Sequence, residues 1–293
     1  MLQESDIVPY HLSPPPGERV IVLAPHPDDE TLGCGGTIRL LLEAKKEVKV
    51  IFLTSGDKAD PDDPRSQVSR GSIEGKLTPP SPPLKLRGGL GALSPMAGEN
   101  EGKRGFGDAS HVTAYSLLRE KEAEKALRAL GVSDYEFLRF PDRELFMHYE
   151  EVRERLEGVL EAFRPDTIYS PSMAELHPDH RATAALSLEI QKAKSAGSVR
   201  GERHSASVRI VFYEVALPLR PNLLVDVTYV YRRKVKAVKK YKSQLRLKDY
   251  LRCITALNTF RSLTVEGPRY VEAFWGIDIP LNEEERGRWL CYQ

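Results

Sequence analysis

Cysteine is scarce in this chain. Its 293 residues include three, Cys34, Cys253 and Cys291, widely spaced and odd in number. That argues against a disulfide framework and predicts a reducing, cytoplasmic setting. Net charge is scarce too. Lys and Arg number 43 against 42 Asp and Glu, leaving +1. So balanced a chain sets up no general field for nucleic acid or a membrane surface. No uninterrupted apolar run approaches the ~18–20 residues of a membrane span. The first residues, Met1-Leu2-Gln3-Glu4-Ser5-Asp6, lack the basic-then-apolar pattern of a signal peptide. The Gly-x-Gly-x-x-Gly fingerprint of a dinucleotide loop is missing as well. Gly33-Cys34-Gly35-Gly36 only approximates it. What remains is 41% hydrophobic and 29% charged, a composition that suits a soluble globular protein. A small molecule is the expected partner, and a homo-oligomer is left open.

The most informative stretch is Ala24-Pro25-His26-Pro27-Asp28-Asp29-Glu30. The β-branched run Arg19–Leu23 precedes it and reads as a strand. Ile38–Ala44 follows the glycines and reads as a helix. Val48–Thr54 then reads as a second strand, so the segment forms a βαβ unit with parallel strands. His26, Asp28 and Asp29 therefore fall at the carboxyl end of the first strand, where ligands bind in open α/β sheets. His177-Pro178-Asp179-His180 occupies an equivalent place, after the strand around Ile168 and before another helix.

Elsewhere strands and helices alternate. Helices are expected over 115–130, with Gly131 as C-terminal cap, over 149–163, and from the second His cluster to about Lys192. A basic helix is expected from Arg232 to Lys242, and another over 245–260. Strands are expected over 135–140, 208–215, 223–227 and 270–276. The pattern predicts one Rossmann-like α/β domain over 18–293: a doubly wound, mainly parallel sheet with helices on both faces. Residues 1–17 read as a polar leader and 194–206 as a polar loop. Residues 71–107 hold 9 of the 21 glycines and five prolines without apolar periodicity, so they read as an irregular or disordered insertion.

Imidazole nitrogens and carboxylate oxygens are the ligands of catalytic zinc, which keeps one position for water. His26, Asp29 and His180 would make such a set. Asp28 and Asp29 are neighbours in a turn, so one can bind metal while the other faces the bound water. Zinc lowers that water's pKa to about 7. His177 and His180 need not both ligate; one can bind while the other donates to an oxyanion. Asp179 could hold that imidazole and favour its charged form. Either cluster alone reads as a turn and helix cap. Together, at equivalent strand ends, they read as one site.

These paired motifs resemble the LmbE/PIG-L family of zinc-dependent N-deacetylases. The resemblance extends to Arg119-x-x-Glu122, to Phe140-Pro141-Asp142, and more weakly to Asp226, Lys234 and Tyr241-x-Ser243-Gln244. It implies a Rossmann-like hydrolase that removes acetyl from an N-acetylglucosamine-type amine. It also implies zinc, or another divalent metal such as Fe2+, on His26, Asp29 and His180. Asp28 would then be the general base, and His177, with Asp179 beside it, would stabilise the oxyanion. Arg119 and Asp142 would contact sugar hydroxyls or an anionic aglycone. Some relatives carry a Tyr two residues before the first His of the second motif, where this chain has Glu175. Competing functions are an amidase of a thiol-sugar conjugate and a non-catalytic nucleotide-binding Rossmann module.

Overall fold

Val20, Val22 and Ala24 point to one side of the first strand and Ile21 and Leu23 to the other, and all five are buried. A strand apolar on both sides belongs in the middle of a covered sheet. The computed structural model, which describes residues 12–59, 112–199 and 208–277, places it there. The seven strands are β1 (Arg19–Ala24), β2 (Glu47–Thr54), β3 (Asp134–Phe140), β4 (Thr167–Pro171), β5 (Arg209–Tyr213), β6 (Leu223–Asp226) and β7 (Val271–Ile277). Their order is β3-β2-β1-β4-β5-β7-β6. The first five are parallel, and β7 runs antiparallel to β5 and β6. The chain leaves β1 towards β2 and returns at β4 on the opposite side. That reversal between β1 and β4 is the topological switch point where ligands bind in such sheets.

Helices cover both faces. On one lie α1 (Asp29–Glu43), α2 (Ala114–Leu130) and α5 (Tyr231–Val238), burying Ile38, Leu41, Leu127, Leu130 and Ala237 against Val22 and Phe52. On the other lie α3 (Tyr149–Phe163) and α4 (Pro178–Val199), whose Val152, Leu156, Leu186 and Ile190 pack on Ile21, Leu23 and Ile51. Two short helices, α6 (Lys242–Leu247) and α7 (Tyr250–Phe260), follow α5. The single α/β domain with its mainly parallel sheet is as expected.

Several details differ from expectation. The helix after β1 begins at Asp29, not after the glycines, and it is broken at Cys34 (φ −138°, ψ 25°). The glycines lie inside this helix, and at Gly33 and Gly36 neighbours approach too closely for a side chain. A Cβ at Gly33 would lie 2.2 Å from the Tyr213 ring. These glycines therefore form no dinucleotide loop. The break leaves the Gly36 and Thr37 N–H groups without their helical partners, and both donate to the Glu272 carboxylate, at 2.8 and 2.7 Å. Glu272 also pairs with Lys234 Nζ at 2.6 Å, and both side chains are fully buried. Lys234 is thus the exception on α5, whose Arg232, Arg233 and Lys236 are exposed.

α4 continues to Val199, through the first part of the expected polar loop. Once a helix has formed, each further residue adds a hydrogen bond, and Lys and Ala at 192–194 favour it. The rest of that loop, the 71–107 insertion and residues 1–11 lie outside the described residues. Residues 12–17 are tied to the domain: Leu12 bridges Leu224, Ser13 N–H donates to its carbonyl, and Tyr169 Oη donates to Pro16 O. The expected helix over 245–260 is divided, with Asp249 capping α7 through the Arg252 N–H.

Removing one partner of a buried ion pair strands the other charge. Glu272→Ala is therefore expected to cost about 3–5 kcal/mol in denaturant unfolding. Adding Lys234→Met should recover part of that loss, because no unpaired ammonium remains. A double variant less stable than the single would contradict the pairing.

Candidate active site

Four loops, those after β1, β2, β3 and β4, meet over the switch point. Thr54 anchors the first, its N–H and hydroxyl both donating to Pro25 O at 2.9 and 2.8 Å. Asp29 then turns back, and its Oδ2 accepts the His26 N–H at 2.9 Å. The same oxygen lies 3.2 Å from His26 Nδ1 and 3.2 Å from His180 Nε2. His180 Nε2 is 3.3 Å from His26 Nδ1. Three donors from two strand ends thus form a nearly equilateral triangle. A tetrahedral zinc with bonds of about 2.0–2.1 Å spaces its donors about 3.3–3.4 Å apart. The donor set fits such an ion with almost no movement.

The outer nitrogen of His26 is held as metal-binding imidazoles usually are. Nε2 lies 3.1 Å from Asp142 Oδ1 and 3.3 Å from Asp179 Oδ2. Asp179 also accepts the Arg143 N–H at 2.6 Å and the Leu145 N–H at 3.2 Å, which fixes the loop after β3. The Asp142 N–H donates to Asp57 Oδ1, from the loop after β2, at 3.3 Å.

Asp28 holds a strained backbone, φ 133° and ψ −26°, as the N-cap of α1. Strain of this kind in a residue other than glycine persists only where the surroundings enforce it. Here Arg119 does so. It is 3% exposed, and its guanidinium donates to Pro27 O at 2.6 Å, Gly56 O at 3.2 Å and Asp28 Oδ1 at 3.2 Å. Gly56 (φ +62°) is required there, since a Cβ would fall 1.8 Å from Arg119 Nη1.

The electrostatics follow from burial. Burial pushes Asp28 up to about 7; Arg119 opposes this only in part and Asp29 adds to it. Burial opposes charge on both His26 and His180, but neighbouring carboxylates prevail. Asp142, Asp179 and Asp29 hold His26 well above its ordinary value, and Asp29 raises His180 to about 9. Asp29, despite its burial, is held well below the carboxylate range by His180 and His26. In the absence of a metal the cluster offsets its buried carboxylates with two imidazole protons. A dication can take the place of both, so the charge of the site as well as its shape fits one.

His177 sits at the mouth, its side chain 32% exposed and its ring 4.4 Å from that of His26. It is not held as expected. The Asp179 carboxylate is 4.0 Å from His177 Nδ1, because its oxygens are taken up by His26, Arg143 and Leu145. The Asp179 N–H donates to Nδ1 instead, at 3.2 Å. Burial and the neighbouring His26 charge push His177 down to about 4, so it is neutral near pH 7 with its proton on Nε2. Arg119 and Asp142 also face inward. Both are 3% exposed and bound to site residues, Arg119 to Asp28 and Asp142 to His26.

Three buried groups carried no assigned role in the sequence. Glu30 bonds to Thr31 and Tyr241 hydroxyls and to the Asp28 N–H, and burial pushes it up to about 7. Ser243 fixes Glu122 through its N–H and hydroxyl, at 3.0 and 2.6 Å. Glu175 faces His180. The adjacency of Glu30 to the first motif was a usable signal, whereas the others depend on contacts made across the fold.

The family model for PIG-L, GlcNAc-PI de-N-acetylase, matches residues 21–191, more than half of the chain. The chain belongs to this family. It is 25% identical over 236 residues to the diacetylchitobiose deacetylase of Thermococcus kodakarensis, covering 78% of this chain and 70% of that one. The fold is similar to the N,N'-diacetylchitobiose deacetylase of Pyrococcus horikoshii (TM-score 0.64, 24% identity, 94% of this chain and 91% of the other). It is also similar to the 4-carboxy-2-hydroxymuconate hydratase of Pseudomonas putida (TM-score 0.60, 18% identity, 90% and 98%). A fold shared with a hydratase does not select a reaction; the site must do that.

The protonated cluster makes a signed prediction. His180 is held at about 9 in the folded protein against an ordinary 6.5. Its stabilising contribution is therefore whole below pH 6.5 and lost as pH rises through 9. Chelator-treated protein should lose melting temperature between pH 6.5 and 9.5, and His180→Ala should flatten that slope. An unchanged slope in the variant would contradict the cluster.

Proposed function

We propose that this chain is a hydrolase that removes the acetyl group from an N-acetylglucosamine-type amino sugar or its conjugate. The observation that carries the reading is the triangle of His26 Nδ1, Asp29 Oδ2 and His180 Nε2, with 3.2–3.3 Å edges. Two imidazoles and one carboxylate suit zinc, and the same donor types serve Fe2+. The family description and the diacetylchitobiose deacetylase relative support an N-acetylglucosamine unit as the part recognised. An ion bound there supplies Lewis-acid activation of water and of the amide carbonyl.

The chain's own residues supply the remaining parts. Asp28, beside the triangle and raised by burial, takes a proton from the attacking water. Its strained turn aims the carboxylate while Arg119 holds it. His177 presents Nε2–H from the mouth to the oxyanion that develops on the carbonyl. The C–N bond then breaks, and the proton held at Asp28 is available to the leaving amine. The products are acetate and the free amino sugar. Hydrolysis of a thiol-sugar conjugate amide would use the same groups, so a screen following released acetate across N-acetylated sugars and conjugates separates the two.

Asp28→Asn keeps the shape of the turn but removes the base, and is expected to lower kcat about 10²–10⁴-fold with metal content near wild type. The acidic limb of the pH profile should vanish with it. That limb should lie at or below pH 7, since Asp28 titrates at about 7 without a metal and a nearby dication lowers it. His177→Ala should cost on the order of 10²–10³-fold and keep the limb. Asp29→Ala should lose metal and activity together. An Asp28→Asn protein that loses its metal while Asp29→Asn retains it would reverse the two roles.

A further inference from the structure

We propose that Glu175 is a positioning residue: it fixes which nitrogen of His180 carries the proton, and it ties that imidazole to the loop after β5. This rests on the assignment of His180 as a metal ligand made above.

Glu175 is 1% exposed. It lies in the loop after β4, where its N–H donates to Ser172 O at 3.2 Å. Arg181 Nη1 holds the same loop through the carbonyls of Glu175 and Leu176, at 3.1 and 2.6 Å. The Glu175 carboxylate has two partners on opposite sides. Oε1 accepts the N–H groups of Val215, Ala216 and Leu217 at 2.7, 3.0 and 3.3 Å. Oε2 shares the Ala216 N–H, at 3.1 Å, and faces His180 Nδ1 at 3.5 Å. That nitrogen is buried and makes no hydrogen bond among the described residues, and the Glu175 carboxylate is the acceptor it faces. The opposite nitrogen, Nε2, forms one corner of the donor triangle.

A neutral imidazole carries its proton on one nitrogen and binds metal through the other. An ionised carboxylate can only accept, so Glu175 requires Nδ1–H and leaves the Nε2 lone pair to the ion. Three backbone N–H donors hold that carboxylate in place. The loop at 215–217 and the ligand imidazole therefore share one group, and the loop cannot shift without moving it. Glutamine has nearly the same shape but cannot serve both sides. With its oxygen on the loop, its NH2 meets Nδ1 and drives the proton to Nε2, where the ion binds. With its oxygen on His180, its NH2 opposes the loop donors.

Glu175→Gln is therefore expected to weaken zinc binding about 10–100-fold, measured by competition with a chromophoric chelator. At saturating zinc kcat should return to near wild type. An unchanged zinc affinity would overturn the proposal. A second measurement needs no variant. Histidine ¹⁵N NMR of the zinc-loaded wild-type protein should show His180 bound through Nε2 with a proton on Nδ1, and binding through Nδ1 would overturn the proposal. Both readouts are independent of turnover. A protein that shows them and hydrolyses no N-acetyl sugar would defeat the functional reading and leave this one standing.

Discussion

The Asp29 carboxylate is the contact on which the site depends. One of its oxygens receives the His26 backbone, the His26 ring and the His180 ring. It thereby joins the loops leaving β1 and β4, the two strands between which the sheet reverses direction. Around it Asp28, Glu30, Asp142, Asp179, Arg119, His26 and His180 are all at most 7% exposed. Burying so many ionisable groups is unfavourable unless each is paired. Carboxylates outnumber Arg119, and the imidazoles balance them only by taking up protons. The same imbalance that makes the metal-free cluster sensitive to alkaline pH makes it receptive to a dication.

The scaffold supports that arrangement from outside. α1 is broken at Cys34 so that its first turn can close over the site while the remainder packs against β7. Glu272 caps the second part and is itself neutralised by Lys234. α5 runs antiparallel to α1: Lys234 lies beside Gly35, Val238 packs on Leu32, and Tyr241 reaches Glu30. Of the weaker C-terminal motifs, Lys234 and Tyr241 have their explanation here, because they brace α1 from behind, whereas Asp226 is exposed and accepts the Thr228 N–H.

The strand ends were legible because chemistry and local pattern coincide there. A β-branched run followed by His26, Asp28 and Asp29, and a second followed by His177 and His180, point to one sheet edge. The glycines misled because a run of them reads as a turn, and only the contacts of Tyr213 on Gly33 and Val227 on Gly36 show why glycine is needed in this helix. Arg119 and Asp142, expected to contact a substrate, are bound by long-range partners, Asp28 and His26. Asp179 was expected to hold His177 by its carboxylate, but two backbone N–H groups from another loop claim that carboxylate. No local pattern encodes such partners. Residues 71–107, read as an insertion, lie outside the described residues.

The most direct measurement is X-ray absorption at the zinc edge, made on zinc-loaded protein of known stoichiometry. One ion per chain is predicted, with a first shell of two imidazoles and a carboxylate. His26, His177 and His180 also place ring nitrogens within 4.8 Å of one another, and so do the ligand atoms of His26, Asp142, His177 and Asp179, so a three-imidazole site or one with two carboxylates is the alternative. A third imidazole in the shell, or no stoichiometric zinc, would contradict the triangle centred on Asp29.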